Sequence, residues 1–219
     1  MGRAVPGARR TLSGGDALAG LVHGPVHDPV HDPVHVRRAQ AADAASLASF
    51  ADRAFRTTYG PAADAAEGGG SRLEDVAAYA DAHFTVARIG AGLADPALAT
   101  FVAESQGALA GYAQLRLPGE RPTGAPPGDA PTAAGARPAE LARLYVDRAW
   151  QGRGVADALL DAVTGAATAA GATGLWLCVY QRNLRAVAFY RRRGFTVGGA
   201  ATFRMGDEVQ DDWVMGRAV

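Results

Sequence analysis

The segment that most narrows what this chain can become runs from Glu140 to Gly171. Glu-Leu-Ala-Arg-Leu-Tyr-Val reads as a strand, a glycine-bearing turn follows at Gln151-Gly152-Arg153-Gly154, and the stretch from Val155 to Ala170 reads as a helix stopped by Gly171. A strand that feeds through such a turn straight into a helix aims unpaired backbone N–H groups, and the positive end of the helix dipole, at one point. That point suits a phosphate. Gly152 and Gly154 allow the backbone to approach a diphosphate, and Arg153 adds charge. The turn lacks the Lys-Ser/Thr ending of a P-loop, and Asp157 stands where G-x-G-x-x-G needs its last glycine. Taken alone, it reads equally well as a plain tight strand-to-helix turn.

The flanking pattern sets this unit in an α+β domain. Val34 and Val36 alternate with His35 and Arg37 as an opening strand does. From Gln40 the period lengthens: Leu47, Phe50, Ala51, Ala54, Phe55 and Thr58 form one helical stripe that ends before Gly60-Pro61, with Asp43 in the first turn. Ser71 and Glu74 predict a capping box for a second helix carrying Leu73, Val76, Ala77, Ala80 and Phe84. Residues 100–104 and 109–117 read as a hairpin. Residues 118–138, rich in Pro, Gly and Ala, read as an exposed loop that cannot offset its ordering entropy by burial. After the glycine turn and its helix come a strand at GLWLCVY, a short helix from Leu184 to Arg193 stopped by Gly194, and a final strand pair. A mixed, mostly antiparallel sheet of about seven strands flanked by about four helices is expected.

Residues 22–35 repeat His every fourth position, but Pro25, Pro29 and Pro33 forbid the helix that would align the imidazoles. Residues 1–33 are therefore expected to be a disordered low-complexity leader, with loose transition-metal capture as the rival reading, ahead of a domain at 34–219. Arg9-Arg10 invites an export reading, which Asp16, three glycines and the missing cleavage site oppose. No run reaches the roughly twenty apolar residues of a spanning helix. Lys plus Arg and Asp plus Glu both number 22, so charge gives no pull toward nucleic acid or an anionic membrane. All the basic residues are arginine, which makes an arginine count weak evidence for a ligand. A single cysteine, Cys178, excludes a disulfide framework and a multi-cysteine zinc site, and fits a cytoplasmic protein. Cys178 is expected to be buried and His83 to lie at the surface.

Gln151-Gly152-Arg153-Gly154-Val155-Ala156 resembles the Q/R-x-x-G-x-G/A signature of the GCN5-related N-acetyltransferases (GNAT). Asn183, Ala186, Phe189, Tyr190, Gly194 and Phe195 match that family's segment after the fifth strand. The resemblance spans 34–219 apart from the 118–138 loop, and the ending Phe203 to Met215 looks like the PaiA-type spermidine/spermine branch. It implies acetyl-CoA as co-substrate, no metal, and direct attack in a ternary complex. Leu144, Tyr145, Val146, Gln151 to Ala156, Asn183 and Phe189 would bind the CoA, with the Val146 amide facing the thioester carbonyl and Arg191 to Arg193 near the 3′-phosphate. Tyr190, with a reference pKa near 10 against about 8.5 for a thiol, would supply the proton for the leaving thiolate and be reprotonated from water; as a core aromatic the neighbouring Phe189 is the better candidate. Glu140, eleven residues before Gln151, would draw the proton from the amine, or else is a strand carboxylate paired with Arg143. The acceptor would be a small-molecule amine, a polyamine among the choices, with Glu140, Asp207, Glu208, Asp211 and Asp212 as cation partners. The rivals are a protein N-terminal or lysine acetyltransferase and a non-catalytic acyl-CoA sensor. A monomer or a homodimer is expected.

Overall fold

The computed structural model describes residues 33–61, 70–118 and 137–219. The leader with its His/Pro repeat up to Asp32, the Gly68–Gly69 part of the glycine spacer and residues 119–136 of the Pro/Gly/Ala-rich loop lie outside the described residues. The strands are β1 (His35–Arg38), β2 (Leu98–Ser105), β3 (Ala108–Arg116), β4 (Pro138–Val146), β5 (Gly174–Tyr180), β6 (Thr196–Met205) and β7 (Glu208–Ala218). The helices are α1 (Ala44–Tyr59), α2 (Leu73–His83), α3 (Val86–Ala94), α4 (Val155–Ala169) and α5 (Leu184–Arg192). The strands form one sheet in the order β1-β2-β3-β4-β5-β7-β6, in which only β4 and β5 run parallel. Among the described residues no helix is long and apolar enough to cross a membrane.

Each face of the sheet carries its own core. On one face Val155, Leu159, Leu160, Val163 and Ala167 of α4 and Val187 and Tyr190 of α5 cover Ala113, Leu115, Leu141, Leu177 and Met215. On the other, Leu47, Phe50, Ala51 and Phe55 of α1 meet Val76 and Ala80 of α2, Ile89 of α3, Val102 and Tyr112. The β2–β3 turn places Gln106 and Gly107 at φ 50° and 76°, the primed turn that suits right-twisted strands. Arg37 of β1 reaches Asp43 through two nitrogens (2.7 and 2.8 Å) and Glu104 of β2 through two (2.9 and 2.6 Å), tying the start of α1 to the sheet edge. The guanidinium holds the Asp43 carboxyl down at about 2.

Three local expectations differ. Ser71 does not cap α2, whose N-cap is Arg72; its hydroxyl instead bonds Glu208 and Gln210 of β7, so the residue fastens a hairpin to a helix start. Leu73 faces solvent at 66% exposure, because the buried stripe of α2 runs through Val76 and Ala80. A fifth helix, α3, stands where none was expected: Gly90 and Gly92 weaken its propensity, while the Thr85 hydroxyl accepts from the Arg88 amide as its cap.

Two features open the centre of the sheet. The β3–β4 register passes from Gln114↔Arg143 to Leu115↔Leu141, so Ala142 is an extra residue, a bulge that twists β4. The β4–β5 ladder spans only Pro138–Glu140 against Gly174–Trp176, beyond which the two strands part. Gly111 on β3 lets α4 sit close beside this opening: a Cβ there would lie 2.8 Å from the Tyr145 carbonyl oxygen, 3.0 Å from Leu159 and 3.3 Å from Val155. Since a backbone carbonyl is one of the obstacles, Gly111→Ala should cost about 1–3 kcal/mol. Urea unfolding with an unchanged slope and a lowered midpoint is the expected result.

Candidate active site

The gap between β4 and β5 is the floor of a cleft of about 700 Å³. Gln151, Gly152, Gly154, Ala156 and Asp157 of the glycine turn and α4 line one end, Asn183, Ala186, Phe189 and Tyr190 line a wall, and Thr58, Tyr59, Arg143 and Tyr145 line the opposite face.

At the first end, Gly152 and Gly154 have φ of 75° and 79°, the left-handed region that a side chain resists. Gly154 is the N-cap of α4, so the amides that follow it have no partner in the helix and stand at the cleft. Gln151 braces the turn from within: its amide donates to the Val146 carbonyl (3.3 Å), and its oxygen accepts from Arg185 (2.6 Å). Arg153 lies over Trp150, 5.6 Å from the ring centre, and is not part of the cleft wall. Of the arginine triplet, Arg192 lines the cleft, whereas Arg193 bonds Asp157 (2.9 Å) and Asp161 (3.3 Å) of α4. A diphosphate fits this end by the chemistry of its donors.

Along the floor, the Asp147 amide donates to Ala110 of β3 (2.9 Å). Successive amides of a strand alternate in direction, so those of Val146 and Leu144 face the side from which β5 has diverged. No strand among the described residues pairs that edge. An extended amide-bearing chain fits against it, and a carbonyl beside Val146 meets a donor. Asn183 caps α5, its carbonyl oxygen accepting from the Ala186 amide (3.0 Å), which leaves its NH₂ group to the cleft.

Tyr190 and Phe189 exchange their expected places. Tyr190 is the more buried, at 8% exposure, because Val187 and Tyr190 form the inward stripe of α5 and its ring edges onto Phe195 just past the helix end. Phe189 is half-buried at the cleft wall. The Tyr190 phenol still reaches the cleft; burial, and next the Tyr145 phenol, push it well above its ordinary value, so it stays protonated.

The far end was less legible. Tyr59 hydrogen-bonds Tyr145, which stacks on its register partner Tyr112 with ring centres 5.6 Å apart. Asp212 of β7, opposite Tyr180 of β5, lies within electrostatic reach of Tyr59, Tyr145 and Cys178. Burial, then the neighbouring Asp211, push its carboxyl up to about 7. Glu140 bonds Arg116 (3.1 Å) rather than Arg143 and is absent from the cleft wall; burial raises its carboxyl although Arg116 opposes this. Cys178, expected to be buried, is exposed at the cleft. It remains ringed by protein, and that desolvation, with the Asp212 and Glu140 carboxyl groups, pushes its thiol up to about 12, which favours the protonated form. His83 is at the surface, against Tyr79.

The profile of the Acetyltransferase (GNAT) family matches residues 67–195. An uncharacterized N-acetyltransferase of Mycobacterium tuberculosis is 34% identical over 175 residues, covering 80% of this chain and 97% of that protein. Another, from Lactobacillus delbrueckii subsp. lactis, is 25% identical over 146 residues, covering 67% of this chain and 79% of that protein. Among solved structures, the PaiA N-acetyltransferase of Thermoplasma acidophilum in complex with coenzyme A superposes with a TM-score of 0.63 at 17% identity, over 85% of this chain and 99% of that one. A GCN5-related N-acetyltransferase of Rhodopseudomonas palustris gives 0.62 at 23% identity, over 84% and 95%.

The raised Asp212 carboxyl has a consequence for stability. Its folded-state value of about 7 exceeds that of an unfolded aspartate near 4, so the folded chain holds the proton more tightly. The contribution is intact below pH 4 and is lost as pH rises through 7. Asp212→Asn should therefore raise the melting temperature at pH 8 relative to the parent and change it little at pH 4. Calorimetric scans at the two pH values check this.

Proposed function

Because the chain belongs to the GNAT family of acetyltransferases, we propose that it transfers the acetyl group of acetyl-CoA to the primary amine of a small molecule, by direct attack within a ternary complex. The observation that carries this reading is the one cleft in which the glycine turn, the unpaired edge of β4 and Tyr190 meet, with the Asp212 carboxyl behind its wall and within electrostatic reach of Tyr59 and Tyr145. Bound acetyl-CoA supplies a thioester, whose C–S bond breaks as the amine nitrogen forms the new C–N bond.

The chain's own residues divide the work. The α4 amides after Gly154 and the backbone of Gly152 hold the diphosphate, and the β4 edge with Asn183 and Phe189 orients the pantetheine arm. The Val146 amide donates to the carbonyl oxygen as it gains charge. The amine must attack as the neutral base, and Asp212, ionised above about pH 7, takes its proton. Asp212 is a better acceptor for this proton than Glu140, which Arg116 already occupies. Tyr190 hydrogen-bonds the departing sulfur. Complete transfer from a phenol raised by burial to a thiolate runs uphill, so its contribution is that of a donor to a forming anion, and the proton gathered by Asp212 balances the reaction.

Two variants test the assignment. Gly154→Asp forces a side chain into φ 79° and adds negative charge beside the diphosphate; acetyl-CoA binding by calorimetry should fall below detection while the circular dichroism stays that of the parent. Tyr190→Phe keeps the ring against Phe195 and should lower kcat about 10- to 100-fold, the worth of a hydrogen bond to an anion, with the Kd for acetyl-CoA nearly unchanged. Undiminished turnover in Tyr190→Phe removes the phenol from the reaction.

A further inference from the structure

The far end of the cleft holds a cation that the reaction does not consume. Arg143 follows the bulge at Ala142, so its side chain falls on the face of the sheet covered by α1, α2 and α3 and lines the cleft beside Thr58, Tyr59 and Tyr145. Its partners are neutral: Nη1 donates to Gln114 Oε1 (2.8 Å), the guanidinium also bonds the Tyr79 phenol, and its centre sits 5.4 Å over the Phe84 ring. Gln114 is held for this purpose, since its NH₂ group donates to the buried Thr100 hydroxyl (3.1 Å) and so turns the amide oxygen toward Arg143. Among the described residues no carboxylate lies within ion-pair distance of Arg143. Glu140 feels its field but is bonded to Arg116, so the trio Arg116, Glu140 and Arg143 retains one uncompensated positive charge.

A guanidinium withdrawn from bulk water among neutral groups is costly unless an anion completes it. It offers five N–H donors in a planar fork, of which the described contacts use only part, and a fork of that kind matches a carboxylate. Resting on the acetyltransferase reading of the same cleft, we propose that the acceptor is an amino acid whose carboxylate is received by Arg143 while its amine is presented to the thioester. Arg143 and Asp212 both act on the Tyr145 phenol, so the cation and the carboxyl that such a zwitterion needs lie within electrostatic reach of one group. A polyamine fits less well. It carries only positive charge toward Arg143, and two of the carboxylates that would bind it are engaged, Glu140 by Arg116 and Glu208 by Ser71 and Gln210.

The test uses the full chain, acetyl-CoA and a thiol-release assay on matched pairs: the common L-amino acids, each against its decarboxylated amine, with spermidine alongside. The best amino acid should exceed its own decarboxylated amine at least 100-fold in kcat/KM, the scale of a charged hydrogen-bonded contact. In Arg143→Gln, accepted only if its melting temperature and acetyl-CoA Kd match the parent's, that ratio should collapse toward 1 through a rise in KM. Equal or better turnover of the decarboxylated amines or of spermidine by the unaltered protein overturns the inference and leaves the acetyltransferase reading standing. Acetyl-CoA binding with no amine of either kind acetylated defeats the small-amine reading, and the inference with it.

Discussion

Two parallel strands that pair over three residues and then separate govern the rest of the molecule. Had the β4–β5 ladder run its full length, the amides of Leu144 and Val146 would be spent on β5 and no cleft would exist. The separation is stabilised from both sides. On β4 the extra residue Ala142 increases twist where the ladder ends. On β5 the other edge is fully paired with β7 from Gly174 to Tyr180, so the strand stays flat against its antiparallel neighbour while β4 stays with β3. The sheet thus consists of two antiparallel blocks joined at Pro138–Glu140 and Gly174–Trp176, and α4 and α5 each pack beside the wedge.

From that geometry follows a division between main chain and side chain. The end assigned to the diphosphate is made of backbone: the α4 amides and two glycines in the left-handed region, an arrangement that suits an anion without burying any charge of its own. The end proposed for the acceptor is made of side chains in costly surroundings: a carboxyl raised to about 7 at Asp212, a phenol pair at Tyr59 and Tyr145, and a guanidinium among neutral partners at Arg143. Such groups are costly to a fold that merely needs to be stable, and they cluster around one phenol.

The same division explains what could be read in the sequence. The glycine turn, its helix and the Asn183 to Phe195 segment betray themselves because φ restrictions and caps act over a few neighbouring residues. The succession of strands along the chain, the hairpin and four of the five helices follow from period and punctuation; the order of the strands in the sheet does not. Arg143 and Asp212 carry no such signature. Arg143 turns toward the acceptor side only because Ala142 is bulged, and a bulge depends on the partner strand. Asp212 is one of four acids near the chain's end, distinguished from Asp207, Glu208 and Asp211 only by which strand it faces. Ser71 and Cys178 depart from expectation for the same reason: a helix start and a β run are local signals, while the neighbours of these two residues lie in β7 and in the cleft. The α3 helix was hidden by its own glycines.

Arg143 and Asp212 also bear on each other. A zwitterionic acceptor brings an anion to Arg143 and an ammonium toward Asp212, and the ammonium favours the ionised carboxylate. In the proposed reaction Asp212 would then release its proton as the acceptor arrives and be charged when it takes one from the amine. A carboxylate of ordinary pKa would be a weaker base; one raised by burial to about 7 is half protonated at neutral pH, so it can both take up a proton and give it back to water. The burial that raises the Asp212 carboxyl is therefore what would suit it to alternate between the two states in the proposed reaction.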